Sequence, residues 1–345
     1  MSRARQARRI AMAAAFGGGA LGAVGVILLG VLVGEARLAR RTVGEPTTDP
    51  PVADGLYGPE RAAEPAGQPP ITLALLGDSS AAGFGVDMPE ETPGALLAVG
   101  LSEIADRPVR LVNAAKVGAR SADLVDQVTA ALEHSPDIAV IMVGANDVTH
   151  RIRPVNSVRL LSEAVRRLRA DGVEVVVGTC PDLGTVEPIA QPLRLVARRW
   201  SRAMAAAQTI AVVEAGARSV SLADLLGPEF AAAPRVMFSA DRFHPSASGY
   251  ARVASVVLPS MAAALGLGPQ EERRPATVGG TAPDEAVSSL ALAAVQAAEE
   301  PGTEVSGIEV GGRESGPRGR WVVLRHRIRR FTRRPAGPQV EQPVR

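Results

Sequence analysis

The stretch "LALLGDSSAAGFGV", residues 73–86, decides the fold, because an apolar run ends there abruptly in small and polar residues. The run up to Gly77 has the length and composition of a buried strand. An acid and two hydroxyls, Asp78-Ser79-Ser80, follow it at once. A helix cap has the same composition, since serine and aspartate are preferred at that position. The rest of the sequence distinguishes an ordinary cap from a reactive turn.

Apolar runs alternate with helical patterns over residues 71–266. The runs predict buried strands at 71–76, 109–114, 138–144, 173–179 and 209–215. The periodic segments predict helices near 92–105, 121–133, 156–170, 190–207 and 247–265. Continuous apolar strands indicate a sheet that is covered on both faces, and strand–helix alternation indicates a parallel, doubly wound sheet. We therefore expect a three-layer α/β/α domain with its ligand site beyond the carboxyl ends of the strands.

The composition excludes several kinds of site. Cys180 is the only cysteine, so neither an intrachain disulfide nor a thiolate zinc cluster can form. It follows an apolar run and is interpreted as a small buried residue. The four histidines show no metal-ligand spacing, and no G-x-x-x-x-G-K-[ST] nucleotide motif occurs. We therefore expect no metal and no cofactor. No nucleic-acid partner is expected either, because the N-terminal region indicates an exported domain.

The N-terminal region has the pattern of a membrane anchor. Residues 10–34 carry no charge, and this stretch exceeds the ~20 residues that cross a bilayer. Arginines precede it, which favours a cytoplasmic N-terminus. We interpret residues 1–36 as a transmembrane signal-anchor and residues 37–70 as a linker, with the domain of a single-pass membrane protein outside the cytoplasm. A cleaved signal peptide is the alternative.

The C-terminal region, residues 267–345, is rich in Gly, Pro, Glu, Ala and Ser and is expected to be a disordered, low-complexity tail. Its segment 321–334, "WVVLRHRIRRFTRR", places Trp321, Leu324, Ile328 and Phe331 on one face of a helix among arginines. A basic amphipathic helix of this kind binds anionic membrane surfaces. A disordered basic tail is the alternative.

Four polar blocks fall in loops of the predicted domain. In chain order they are Gly77-Asp78-Ser79, Gly118, Gly144-x-Asn146-Asp147 and Asp241-x-x-His244. Together, and in this order, they resemble the SGNH hydrolases, also called GDSL esterases and lipases. The resemblance covers about 200 of the 345 residues. It implies a flavodoxin-like α/β/α fold and the hydrolysis of an ester without a metal.

The residue types suit that chemistry. A serine hydroxyl needs a base to become nucleophilic, and His244 titrates near neutrality. Asp241, three residues earlier, can hold the imidazole as in other Ser-His-Asp sites. The resemblance assigns the oxyanion hole to the backbone N–H groups of Ser79 and Gly118 and to the side chain of Asn146.

Several of these residues have other interpretations. Ser80 is the rival nucleophile, Asp78 and Asp147 are interpreted as structural, and His150 could lie near the site. Asn146 could instead form an Asx-turn, and His244 could cap a helix.

Two functions follow from these residues. The first is a membrane-anchored serine esterase that cleaves an acyl or O-acetyl ester through an acyl-enzyme, on a small-molecule, lipid or glycan substrate. The alternative is a catalytically silent module of the same fold that binds acylated envelope glycans. The single cysteine departs from the disulfide-bearing secreted lipases of the family, which argues against a triglyceride lipase.

Overall fold

The computed structural model describes residues 30–38, 41, 49–58, 69–186, 188–222, 230, 233–267, 285–300, 302–307 and 321–326. Within these residues one sheet has nine strands, in the order β1-β3-β2-β4-β5-β6-β8-β9-β7. The strands are β1 (Gly55–Tyr57), β2 (Ile71–Gly77), β3 (Val109–Asn113), β4 (Ile138–Met142), β5 (Glu174–Gly178), β6 (Arg218–Val220), β7 (Glu285–Ser289), β8 (Thr303–Gly307) and β9 (Trp321–His326).

Ten helices lie within the described residues. They are α1 (residues 30–38), α2 (Ser79–Ala82), α3 (Pro93–Ala105), α4 (Leu124–Leu132), α5 (Ala145–Thr149), α6 (Pro154–Ala170), α7 (Leu193–Glu214), α8 (Pro234–Met237), α9 (Ala247–Ala264) and α10 (Leu290–Ala297). Short 3-10 turns lie at Pro89–Glu91, Ser121–Asp123 and Leu183–Thr185.

The centre of the sheet is parallel and its edges are antiparallel. Strands β3, β2, β4, β5 and β6 pair in parallel, whereas β1 and the β8-β9-β7 group pair antiparallel. The expected α/β architecture is confirmed, but the all-parallel sheet is wrong, because short edge strands from outside residues 71–266 extend it. The carboxyl ends of β2, β4 and β5 lie side by side, so the loops after them meet at one edge.

Side chains of β2 alternate between two cores, which is why both faces must be covered. Leu73 and Leu75 pack with α3 and α9 on one face, whereas Ala74 and Leu76 pack with α4 and α6 on the other. All four are fully buried. Burial of each leucine contributes about 1.5–3 kcal/mol. This period-two arrangement produces the three layers.

The fifth predicted strand, 209–215, is wrong. Residues up to Glu214 belong to α7, and the strand follows at Arg218–Val220. The run is apolar because one face of the helix is buried there, including Thr209, Val212 and Val213. A short apolar run fits a buried helix and a buried strand equally well.

The prediction of a disordered tail is wrong for the described segments of residues 267–345. Helix α10 packs on α7, and β8 pairs with β6, with Val305 opposite Ser219. Glu304 on β8 is fully buried and forms an ion pair with Arg218. Residues 321–326 form a strand rather than the expected amphipathic helix, because they pair with β7 and β8. Residues 327–334 lie outside the described residues.

Only part of the predicted N-terminal anchor and linker lies within the described residues. Residues 10–29 of the predicted span lie outside the described residues, and within the described part no helix is long and apolar enough to cross a bilayer. In helix α1, Leu32, Val33, Glu35 and Ala36 are half-buried. Glu35 accepts a hydrogen bond from the backbone N–H of Leu193 at 2.9 Å. The predicted linker 37–70 contains strand β1, which pairs with β3.

Candidate active site

The turn after β2 places Ser79 at the carboxyl edge of the sheet. Gly77 has φ +135°, and a Cβ there would lie 1.8 Å from the carbonyl oxygen of Met142, so only glycine fits. The Asp78 carboxylate caps α2 by accepting a hydrogen bond from the Ser80 N–H at 3.0 Å. Because Asp78 supplies the cap, the Ser79 hydroxyl is left for other partners.

Ser79, His244 and Asp241 form a continuous hydrogen-bonded line. The Nε2 atom of His244 lies 2.9 Å from the Ser79 Oγ, and its Nδ1 atom lies 2.6 Å from the Asp241 Oδ2. Ser79 and His244 are each 7% exposed, so the line is nearly shielded from water. The structure thus brings together residues that are 165 positions apart in the chain.

The loop before α9 fixes the Asp241 carboxylate. Its Oδ1 atom accepts hydrogen bonds from the Ser239 hydroxyl at 2.7 Å and from the N–H groups of Phe243 and His244 at 2.8 and 2.9 Å. Partial burial acts to raise the pKa of Asp241, but the hydrogen bonds and charge of His244 outweigh it and lower the pKa to about 2. Asp241 is therefore a carboxylate at neutral pH.

Asp78 has the opposite electrostatic environment. Burial raises its pKa to about 6, and the nearby charge of Asp147 adds to the rise, while the Ser80 N–H and the charge of His244 oppose it. Asp78 as a whole is 3% exposed. Its contacts are with the turn backbone, so it shapes the turn.

Aromatic rings hold the imidazole of His244 from two sides. The ring centroids of Phe84 and Phe243 lie 4.6 and 4.9 Å from that of His244, both edge-on. The carbonyl of Phe84 accepts a hydrogen bond from the buried Tyr250 hydroxyl at 2.7 Å. Burial raises the pKa of that hydroxyl well above its ordinary value, so it remains a donor. These contacts limit rotation of the imidazole.

The candidate oxyanion donors lie in the neighbouring loops. Gly118 is exposed with φ +79°, and open space surrounds the position of a Cβ. The Asn146 amide donates one N–H to the Ala119 carbonyl at 3.0 Å, which leaves its second N–H available. Within the described residues, the backbone N–H groups of Ser79 and Gly118 donate to no other group.

His150 and Asp147 support the loop that carries Asn146. The Nδ1 atom of His150 lies 2.8 Å from the Asn146 carbonyl. Because a carbonyl only accepts, this ring nitrogen is the donor. Asp147 is buried and accepts hydrogen bonds from Ser121 and from the Ser157 hydroxyl, which ties three segments together. Asp147 is thus structural, as expected.

Two glutamines that the sequence analysis missed position the reactive edge. The Gln127 amide accepts from the Gly77 N–H at 2.7 Å and donates to the Gly77 carbonyl at 2.9 Å, pinning the strand end before Ser79. Gln208 accepts from the Cys180 N–H at 2.7 Å and donates to the Val143 carbonyl at 2.9 Å. The available signal was a polar residue in the apolar stripe of each helix. Cys180 itself is fully buried.

The chain is similar to a known family of proteins. A model of the GDSL-like lipase/acylhydrolase family matches residues 75–252, slightly more than half of the chain. The chain belongs to this family. The matched range begins in β2 and ends in α9, so it contains every residue of the hydrogen-bonded line.

Individual relatives of this GDSL-family protein include enzymes. The GDSL-like esterase Rv1075c of Mycobacterium tuberculosis is 44% identical over 256 residues, which cover 72% of this chain and 82% of that protein. Together with the family match, this relative identifies the chain as a carboxylic ester hydrolase, and the silent binding module is not supported.

Solved structures of similar proteins were also found. The crystal structure of TesA is 26% identical and covers 57% of this chain and 99% of that chain, with a TM-score of 0.41. A catalytic mutant of Axe2, an acetylxylan esterase from Geobacillus stearothermophilus, is 17% identical and covers 57% of this chain and 94% of that chain, with a TM-score of 0.42.

Proposed function

We propose that this GDSL-family enzyme hydrolyses carboxylic esters by covalent catalysis, with Ser79 as nucleophile, His244 as base and Asp241 as the group that orients the base. The observation that carries the proposal is the line of two hydrogen bonds, 2.9 and 2.6 Å long, that joins the three side chains. Both distances lie in the range expected for a nucleophile, its base and the orienting carboxylate.

In the first step the Ser79 Oγ attacks the ester carbonyl carbon while His244 Nε2 accepts the hydroxyl proton. Asp241 keeps the other ring nitrogen protonated and stabilises the imidazolium that forms. His244 then gives its proton to the alcohol oxygen as the ester C–O bond breaks. The alcohol leaves, and the acyl group remains on Ser79.

In the second step a water molecule takes the place of the alcohol. His244 accepts a proton from the water as its oxygen attacks the acyl carbon. The proton returns to the Ser79 oxygen as the acyl bond breaks, so one ester and one water give one carboxylic acid and one alcohol.

Charge that develops on the carbonyl oxygen needs fixed donors. We propose that the backbone N–H groups of Ser79 and Gly118 and the free N–H of Asn146 bind it. What supports this is that all three lie in segments that follow strands at the same sheet edge, and that neither backbone group has a partner in the described residues. Preorganised donors of this kind are often the largest single contribution to catalysis.

A fluorophosphonate probe, which phosphonylates an activated serine, tests the nucleophile. The wild-type protein should be labelled and the Ser79→Ala variant should not. Ser80→Ala is the matched control, because it removes the neighbouring hydroxyl and should label normally. Equal labelling of all three proteins would contradict the assignment, and loss only in Ser80→Ala would move the nucleophile by one residue.

We also propose that the uncharged residues 10–34 anchor the enzyme in the cell membrane, with the catalytic domain outside the cytoplasm. The support is the length of the uncharged stretch and the arginines that precede it.

A further inference from the structure

Exposed cations surround the candidate active site on one side. Three loops carry Gly118, Asn146 and His244, and each also carries arginine or lysine side chains that face solvent. We call these the basic rim: Lys116, Arg120, Arg151, Arg153 and Arg242. None of them forms an ion pair with a carboxylate in the described part of the chain.

The position of the rim residues in the chain places them beside candidate site residues. Lys116 and Arg120 are each two residues from Gly118, so their Cα atoms lie within about 7 Å of it. Arg242 stands between Asp241 and His244 in the loop that holds the base. Arg151 follows α5, and its N–H bonds the Val148 carbonyl at 3.0 Å. Long, exposed side chains at these positions can reach a group attached to a bound ester.

The opposite edge of the sheet carries charges of both signs among the described residues. Asp106, Glu133, Asp137 and Asp171 are exposed there, and so are Arg110 on β3 and Arg166 and Arg167 near the end of α6. The reactive edge also has exposed acids, among them Asp54, Asp87 and Glu90. The basic rim is therefore distinguished by its position, because its members lie in the segments that carry Gly118, Asn146 and His244.

Two residues of the rim also occupy an uncommon backbone conformation. Arg151 has φ +58° and Arg242 has φ +56°, both in the left-handed region that favours glycine and asparagine. Only four non-glycine residues in the described chain have a positive φ, and two of them are these arginines. Backbone strain of this kind concentrates where function requires it.

We propose that the basic rim binds a negatively charged group on the substrate, so that the enzyme prefers esters that carry a carboxylate or a phosphate near the scissile bond. Clefts lined with one sign of charge raise the local concentration of oppositely charged substrates. The inference rests on the proposed ester hydrolysis and adds to it the chemical class of the ester.

The test compares pairs of esters that differ only in charge. Mono-4-nitrophenyl succinate and 4-nitrophenyl butyrate have acyl chains of equal length, and 4-acetoxybenzoate and its methyl ester place the charge on the alcohol side. For each pair, the ratio of kcat/KM for the anionic ester to that for the neutral ester is measured after subtraction of the reaction without enzyme. Using this ratio removes effects that a variant has on both esters.

In at least one pair the ratio should fall about three- to fivefold for each of Arg151→Gln and Arg242→Gln, as expected for losing a charge ~8–10 Å away in a partly screened site. Arg151→Lys, which keeps the charge, should have a ratio close to that of the wild type. Arg166→Gln, an exposed arginine near the far end of α6, is the matched control and should leave the ratio unchanged. Added salt should lower the wild-type ratio toward that of the variants.

Other outcomes would overturn the inference. A ratio that responds equally to Arg166→Gln and to the rim variants would show a general charge effect. If the rim variants weaken binding of the protein to phosphatidylglycerol vesicles but change neither ester ratio, the rim binds a membrane surface instead of the substrate. If neutral esters are hydrolysed but no ratio responds, only this inference fails, whereas no hydrolysis of any ester would refute the proposed function.

Discussion

Replacing Asp78 with asparagine tests the electrostatic description of the reactive turn. Asparagine keeps the oxygen that accepts the Ser80 N–H, so the helix cap is retained. It removes the charge that burial penalises. The pKa of Asp78 rises from 3.8 to about 6 in the folded protein. The charge of Asp78 therefore lowers the stability of the folded protein, whereas the charge of a salt-bridged acid raises it.

Between about pH 4 and 6 the folded protein holds a proton on Asp78 that the unfolded chain has lost, so the stability of the wild type falls as pH rises through this window. A shift of about 2 units corresponds to a penalty of about 3 kcal/mol at neutral pH. Most of this change, about 2 kcal/mol, develops between pH 4.5 and pH 8. The free energy of unfolding of Asp78→Asn, relative to that of the wild type, should therefore increase by about 2 kcal/mol from pH 4.5 to pH 8.

Urea unfolding of both proteins at several pH values measures the difference. Thr129→Ala is the control, because it removes an exposed hydroxyl of α4 and no ionisable group. Its effect on the free energy of unfolding should be nearly constant from pH 4.5 to pH 8, since it changes the number of bound protons in neither state. A constant difference for Asp78→Asn, or one that decreases with pH, would refute the reasoning.

Two further substitutions and one digestion experiment test other parts of the protein. Asn146→Ala should lower kcat by roughly 10²–10³ with little change in KM, since the donor acts on charge that develops in the transition state; a change in KM alone would assign Asn146 to ground-state binding. Gln127→Leu removes both hydrogen bonds to Gly77 and should lower the free energy of unfolding in urea by about 1–3 kcal/mol; an unchanged value would show that the pair is dispensable. Protease added to intact spheroplasts should digest the domain if residues 10–34 anchor it outside, and protection until lysis would reverse the topology.

The parts of the fold that follow from local patterns were predictable. The run that ends at Gly77 predicts β2 because a strand buried on both faces is continuously apolar and must end where small residues turn the chain. The same reasoning fails at 209–215, where an apolar run belongs to a helix face. Edge strands were missed for a different reason. Residues 303–307 become a strand by pairing with β6, and that partner is not visible in their own sequence.

The residues of the candidate site were also predictable only in part. Ser79, Gly118 and Asn146 could be placed because each follows a strand, and the carboxyl ends of parallel strands meet at one edge. A polar residue in an apolar helix stripe marks Gln127 and Gln208, but it does not identify their partners Gly77 and Val143, which lie 50 and 65 residues away. Long-range side-chain bonds of this kind appear only once the chain is folded.

Trapping the acyl-enzyme tests the central claim most directly. The protein is mixed with 4-nitrophenyl acetate, quenched in acid within the first turnover and digested, and the peptides are measured by mass spectrometry. The account predicts an added acetyl group on Ser79 in the wild type and none in the His244→Ala variant, whose serine lacks its base. Acetylation of another residue in place of Ser79, or a burst of 4-nitrophenol with no acetyl group on Ser79, would contradict covalent catalysis by Ser79.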